Sequence, residues 1–356
     1  MFLRLSLLAG LLCSLPLVHA EETPPTCVAG GGATPLCGIA PAEDMEQASD
    51  GRFLFLSTTP GLSDAHHTRL RLLELASGAV SDLRIELAAE EGWGDPHCAA
   101  PTQTPGAHGL HLARRADGRE QLLVVNHVGR EAIEFFEPVA DAGGWKALWR
   151  GCVENRQGSL FNDVVGSADG SFIATAMFEL RDMQADPRLE RMLDGRDTGY
   201  LLAWWPGTEL TRLAHSEAPF PNGIQRSADG RTLWFAAWTA KALWQYDLAS
   251  HQVTRKVPLD FMPDNLSWSA DGRLLAAGIP DATTFRDCFV GKREFCPSAV
   301  RVAALDPRDS AAQPLYTAPA GELFGASVAL QVGRDLYIGA FTGDRLLRVA
   351  NLFAPH

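Results

Sequence analysis

Four oxygen-bearing side chains each stand seven residues ahead of a turn aspartate: Glu43 before Asp50, Asn162 before Asp169, Asn222 before Asp229 and Asp264 before Asp271. Asn265, beside Asp264, can add a fifth oxygen. Carboxylates and amides with no thiol among them form a hard donor set, which suits Ca²⁺ better than zinc or copper. Ordinary turn formers would also be Asn and Asp, but one offset obeyed in four separate places favours convergence on an ion. Asp44 and Asp163 adjoin two of these positions, and the residues alone leave open whether they hold a second, deeper calcium or are satisfied buried carboxylates. His108, in His108-Gly109-Leu110, and His127, in Asn126-His127, fall near the same mouth. A lone histidine is more often structural, whereas two beside a metal could supply a general base. His66, His67, His97, His111, His215 and His251 read as surface or packing residues. Asn265-Leu266-Ser267 matches a glycosylation acceptor, but an inward-facing ligand could not carry a glycan.

The turn aspartates belong to a recurring phrase. It reads Ser49-Asp50-Gly51-Arg52, Ala116-Asp117-Gly118-Arg119, Ala168-Asp169-Gly170-Ser171, Ala228-Asp229-Gly230-Arg231 and Ala270-Asp271-Gly272-Arg273, with a weaker copy at Val332-Gly333-Arg334-Asp335. A short apolar run follows each, such as Leu122-Leu123-Val124-Val125 or Leu233-Trp234-Phe235. Asp-Gly between apolar stretches signals a hairpin, because the turn needs a positive φ that Gly supplies without steric cost. Six copies at about 56 residues per unit leave room for four short strands each, a period slightly longer than common propeller repeats. A β-sandwich with several such turns does not account for copies spread over the whole chain. The expected fold is all-β, a six-bladed β-propeller with a central calcium-binding channel. The innermost strand of each blade precedes the turn, so residues at one offset meet on the axis. Residues 181–199 carry Leu189, Met192 and Leu193 at helical spacing and read as one short amphipathic helix. Residues 280–299 read as an irregular loop pinned by Cys288 and Cys296.

Composition excludes several classes. The 356 residues are 46% hydrophobic and 21% charged, ample for a full core and against extended disorder. With 31 Lys plus Arg against 43 Asp plus Glu, the net charge of −12 repels nucleic acid and anionic membrane and is compatible with binding cations. Residues 1–20 carry Arg4, an apolar run from Leu5 to Leu12 and a small residue at Ala20, the pattern of a secretory signal. Residues 21–356 then form the propeller hydrolase domain, exported to the periplasm or the exterior. No later segment has the roughly 18 uninterrupted apolar residues of a membrane helix, so stable membrane insertion is not expected. Losing Cys13 with the leader leaves Cys27, Cys37, Cys98, Cys152, Cys288 and Cys296. An even count in an oxidising compartment favours disulfides. Cys27 with Cys37 and Cys288 with Cys296 are local candidates, which leaves Cys98 for Cys152; a zinc site is the alternative, without any Cys-x-x-Cys spacing.

Ala107-His108-Gly109-Leu110, Leu123-Val124-Val125-Asn126-His127, Leu160-Phe161-Asn162-Asp163-Val164-Val165, Pro221-Asn222-Gly223-Ile224 and Pro263-Asp264-Asn265-Leu266-Ser267 follow one another in the order of the paraoxonase (arylesterase/lactonase) family. The chain resembles that family from about Glu43 to Val349, within the six-bladed senescence-marker, gluconolactonase and strictosidine-synthase-like superfamily. The resemblance implies that Glu43, Asn162, Asn222, Asp264 and Asn265 hold a catalytic calcium. It assigns Asp44, Asp163 and the Leu110 carbonyl to a structural calcium, and His108 with His127 to a histidine dyad. The implied activity is calcium-dependent hydrolysis of a small-molecule lactone or aryl ester. Calcium would act as Lewis acid and His108, oriented by His127, as general base. No Gly-x-Ser-x-Gly elbow supplies a serine nucleophile.

Three departures from the family pattern bear on this chain. Its end, Leu346-Leu347-Arg348-Val349-Ala350-Asn351, lacks the cysteine that clasps the family's propeller shut, so closure must use strand pairing or another bridge. Ala174-Thr175-Ala176-Met177-Phe178-Glu179 replaces a polar stretch, implying a different pocket, and the segment matching the lid helix is charged. Two other readings stand beside the leading one: a gluconolactonase-type hydrolase of sugar lactones, and a binding propeller that keeps calcium for stability alone. The sequence does not specify oligomeric state.

Overall fold

The apolar runs after the Asp-Gly turns become strands buried on both faces. In Leu122-Leu123-Val124-Val125, Leu122 and Val124 pack toward one neighbouring blade while Leu123 and Val125 pack toward the other. Side chains alternate across a strand, so a strand sandwiched between two sheets reads as a continuous apolar run. The computed structural model describes residues 26–28, 32–58, 68–142 and 144–355. The leader at 1–20 and His66-His67 lie outside the described residues.

After β1 (Thr34–Cys37), blade one comprises β2 (Ala42–Gln47), β3 (Phe53–Thr58), β4 (Arg69–Glu74) and β5 (Val80–Asp82). A short strand, β6 (Arg84–Leu87), precedes blade two: β7 (Leu110–Arg114), β8 (Glu120–Asn126), β9 (Ala132–Asp141) and β10 (Gly144–Glu154). Blade three is β11 (Ser159–Gly166), β12 (Phe172–Glu179), β13 (Tyr200–Trp204) and β14 (Thr211–Arg212), with helix α1 (Leu180–Ala185) after β12. Blade four is β15 (Pro221–Arg226), β16 (Thr232–Ala237), β17 (Ala242–Asp247) and β18 (Gln252–Pro258). Blade five is β19 (Met262–Trp268), β20 (Leu274–Ile279), β21 (Val300–Leu305) and β22 (Gln313–Ala318), with α2 (Ala282–Gly291) after β20. The last strands are β23 (Phe324–Val332), β24 (Asp335–Thr342) and β25 (Arg345–Val349).

These strands make six sheets, the six blades of a β-propeller. The sixth is β23-β24-β25-β1, in which β1 from the start of the chain pairs antiparallel with β25, Thr34 opposite Arg348. Closure is therefore by strand pairing, and no edge is left where the chain ends meet. Blade two carries β6 as a fifth, parallel strand on the outside of β10. Every repeated phrase spans the turn between the first and second strands of its blade. In blade one the Gly51 φ is +68° and the Asp50 carboxylate accepts the Arg52 N–H at 2.9 Å. Among the described residues three disulfides form, Cys27–Cys37, Cys98–Cys152 and Cys288–Cys296.

Two local expectations are corrected. The segment 181–199 is not a helix through Leu189 and Met192; α1 occupies only Leu180–Ala185. Pro187 disfavours helix at Asp186, and the Asp186 carboxylate then gathers the N–H groups of Glu190, Arg191 and Met192 at 3.1, 2.7 and 3.1 Å. The segment 280–299, expected to be irregular, contains α2. Asp281 caps it by accepting from the Thr283 and Thr284 N–H groups, and its Thr, Phe, Cys and Val residues give weak helical propensity. Among the described residues no helix is long and apolar enough to cross a membrane.

Candidate active site

Adjacent side chains of a regular strand point to opposite faces, so Glu43 and Asp44, or Asp264 and Asn265, could not both face one axis. Bulges make it possible. Pairing slips between Ala42 and Asp44, Phe161 and Val164, Pro221 and Ile224, and Pro263 and Leu266, each time across the proposed ligands. An unpaired residue bends the strand and re-aims its side chains. Ser57 Oγ and Thr175 Oγ1 satisfy the displaced Asp44 and Asp163 N–H groups at 2.9 and 3.0 Å. Blade two instead starts its inner strand at Leu110, leaving His108-Gly109 ahead of it. Two glycines let the backbones close in. A Cβ on Gly109 would stand 2.5 Å from the Asn162 carbonyl oxygen, and one on Gly223 2.5 Å from Asn265 Cα.

Glu43, Asn162, Asn222, Asp264 and Asn265 are all brought to this axial cluster and buried, none more than 6% exposed. Asn265 Nδ2 donates to Glu43 Oε1 at 2.7 Å, and Asn222 hydrogen-bonds Asp264. Glu43 Oε2 and the Oδ1 atoms of Asn162, Asn222 and Asn265 are buried without a hydrogen-bond partner among the described residues. An unpaired buried polar atom costs about 1–3 kcal/mol, so four in one cluster mark a place where another group supplies the partner. Electrostatics agree. Burial, and then the Asp264 charge, push the Glu43 carboxyl well above its usual range. Burial does the same to Asp264, with the Asp44 charge adding to it. Crowded, desolvated carboxyls and orphaned amide oxygens fit a hard divalent cation. Among the described residues no three His, Cys, Asp or Glu side chains group as a metal-ligating set; three of these five donors are asparagines.

Asp44 and Asp163 lie beside this cluster, but their oxygens are engaged. Met45 and Leu110 donate backbone N–H groups to Asp44 at 2.8 and 2.7 Å, and Val164 and Ile224 donate to Asp163, both at 2.7 Å. Leu110 thus meets Asp44 through its N–H, and its side chain packs in the core between blades one and two. Burial first, and the Asp44 charge second, raise the Asp163 carboxyl well above normal. A carboxylate oxygen keeps a second lone pair after accepting one N–H.

His108 and His127 meet edge to face with ring centroids 5.1 Å apart. His108 Nε2 lies 3.6 Å from Glu43 Oε1 and 3.4 Å from Asn162 Nδ2. Burial and the His127 charge lower the His108 pKa to about 3, so its ring is neutral at neutral pH. His127 Nδ1 stands 2.7 Å from Glu131 Oε2. Burial opposes charging His127, yet the Glu131 charge and hydrogen bond outweigh it and its pKa is raised. Of the remaining histidines, His111 is half-buried and its Nδ1 accepts the Gly166 N–H at 3.2 Å, while His97, His215 and His251 are exposed.

The pocket over the cluster is walled by apolar side chains, among them Met177, Phe178, Met192, Phe220, Trp238, Phe285 and Phe341. Phe220 bridges Phe178 and Trp238 at centroid distances of 5.4 and 4.9 Å, and Trp238 meets Phe285 at 4.9 Å. Phe220 and Leu189, both in the wall, hold φ values of +52° and +56°. Such a conformation is strained for bulky side chains and clusters at functional sites. Sequence reasoning missed three contributors. Ser327, two residues past the repeat offset, donates to the Glu43 carbonyl at 2.7 Å. Glu131 had one signal, an acid four residues after a candidate histidine. The aromatic wall is drawn from the ends of β12 and β24, the segments beside β15 and β16, and α2, none of them in the repeated phrase.

A family model described as "SMP-30/Gluconolactonase/LRE-like region" matches residues 61–285. A luciferin-regenerating enzyme structure is 10% identical with a TM-score of 0.53, covering 90% of this chain and 97% of that one. A gluconolactonase from Xanthomonas campestris is 19% identical with a TM-score of 0.50, covering 89% of each chain. At these identities the two structures share the fold. None of the curated proteins matches the chain.

Proposed function

The chain belongs to the SMP-30/gluconolactonase/LRE-like family, and from that premise we propose that it is a calcium-dependent hydrolase of lipophilic lactones and aryl esters, paraoxonase-like in its site. The carrying observation is the set of four orphaned oxygens, on Glu43, Asn162, Asn222 and Asn265, in a cluster whose Glu43, Asn162 and Asn222 line the base of an apolar pocket. These residues and Asp264 would hold the catalytic ion, and Asp44, Asp163 and the Leu110 carbonyl a structural one. Bound there, Ca²⁺ would supply Lewis acidity and offset negative charge developing on a substrate carbonyl oxygen.

The chain's own residues do the rest. The wall from Phe178 to Phe285 receives the acyl or aryl portion and excludes bulk water. His108, neutral and beside Glu43, accepts a proton from the attacking water. His127 packs against it and carries charge more readily. The three disulfides support an exported protein.

A sugar lactone would need polar donors on the wall, and the wall residues named above are Met, Phe, Trp and Leu; this favours the lipophilic reading. The test is a turnover panel in Ca²⁺ buffer: medium-chain γ- and δ-lactones, phenyl acetate, gluconolactone and a phosphotriester. We expect the lipophilic lactones to exceed gluconolactone by at least about tenfold in kcat/KM, the scale of one or two apolar contacts. Preference for gluconolactone, or no turnover of any ester, would overturn the proposal.

A further inference from the structure

Glu131 lies in the link between β8 and β9, and its carboxylate reaches two ways. Oε1 accepts the Phe161 N–H at 2.6 Å, in the inner strand of blade three just ahead of Asn162. Oε2 stands 2.7 Å from His127 Nδ1. An ionised carboxylate only accepts hydrogen bonds, so this contact puts a proton on His127 Nδ1. His127 Nε2 is then the nitrogen left to gain or lose one, and it is buried without a hydrogen-bond partner among the described residues, in the ring that meets His108 edge to face. We propose that Glu131 is a positioning residue that fixes His127 as the Nδ1–H tautomer, making Nε2 the proton acceptor at the end of a His108–His127–Glu131 series.

The series assigns different tasks to the two rings. His108 faces the oxygen cluster, its Nε2 3.6 Å from Glu43 Oε1. His127 stands instead against the Glu131 carboxylate, so a proton that His108 takes from water and passes on ends beside a compensating negative charge, with no change in total charge. Glu131 also ties blades two and three together beside the site through Phe161, while its own carbonyl accepts the Asn155 N–H at 2.8 Å and extends the β9–β10 pairing of blade two.

The inference rests on the hydrolase reading, and its test separates the two. In Glu131→Gln the amide oxygen can still accept from Phe161, while the amide NH₂ faces His127 Nδ1 and forces that nitrogen to accept. The ¹⁵N shifts of His127, read at a pH where the ring is neutral, should show Nδ1–H in the wild type and Nε2–H in Glu131→Gln. The kcat for the best lactone of the panel should fall by about 10- to 100-fold, the usual share of general acid–base catalysis, with KM within about twofold. An Nε2–H tautomer in the wild type, a reading that needs no variant, would overturn the proposal. So would an unchanged kcat in a folded Glu131→Gln protein. If the wild type turns over no substrate, the hydrolase reading falls, and the ¹⁵N shifts still decide whether Glu131 sets the His127 tautomer.

Discussion

Asn265 and Glu43 stand 222 positions apart in the chain, yet the Asn265 amide donates to both the Glu43 carboxylate, at 2.7 Å, and the Glu43 carbonyl, at 3.0 Å. The contact joins the inner strands of blades five and one around the axis. It spends the amide hydrogens of Asn265 and one oxygen of Glu43, leaving Asn265 Oδ1 and Glu43 Oε2 without a hydrogen-bond partner among the described residues, where the proposal puts the ion.

Asn265→Ala should therefore destabilise the fold with no ion present. With no ion, burial and the Asp264 charge favour a neutral Glu43; a hydrogen bond to a neutral group contributes about 0.5–1.5 kcal/mol, and urea unfolding in chelator should show a loss of that order. A difference below about 0.5 kcal/mol, the usual range for surface substitutions, would contradict this account of the contact.

His127 predicts a pH dependence of stability. Its folded pKa is raised above the unfolded value of about 6.5 through Glu131, against burial. The protonated form is thus favoured by folding. Its stabilising contribution is complete below the unfolded pKa and is lost as pH rises through the folded one. The stability gap between wild type and His127→Gln should be widest on the acid side of that window and narrow toward alkaline pH. Denaturant melts at several pH values showing a constant or widening gap would contradict the assignment.

Trp238 tests the wall. It is 2% exposed and packed between Phe220 and Phe285. Trp238→Ala would open the pocket where the proposed function puts the acyl portion of a long substrate. Its kcat/KM for a medium-chain lactone should drop by about 10- to 200-fold, the range of one or two lost apolar contacts, while a small, unsubstituted lactone should change much less. Equal losses on both would assign Trp238 to the fold alone.

The repeat was legible because each blade needs a tight turn after its inner strand, and Asp-Gly supplies both the side-chain acceptor and the positive φ. The strands Ala242–Asp247 and Arg345–Val349 are readable for the same reason, since local text and local structure agree. The axial residues could be found because the repeat offset is a geometric quantity in a propeller. The bulges were not legible: a slip between Pro263 and Leu266 depends on partners in the next strand, and it alone lets Asp264 and Asn265 share the axis. Closure by β1 on β25 pairs residues from opposite ends of the chain, and no local pattern encodes it. Phe220 and Phe285 reach the pocket from segments outside the repeat, and α2 is held by its Asp281 cap and the Cys288–Cys296 bridge rather than by propensity.

The central claim is that buried oxygens on the propeller axis bind a divalent ion on which hydrolysis depends. The direct measurement is Ca²⁺ titration of chelator-stripped protein, with medium-chain lactone turnover as the readout. The account predicts that stripped protein is inactive, that turnover returns saturably with added Ca²⁺, and that Asp264→Ala needs far more Ca²⁺ or stays inactive. Full turnover by stripped protein, verified free of metal, would contradict it.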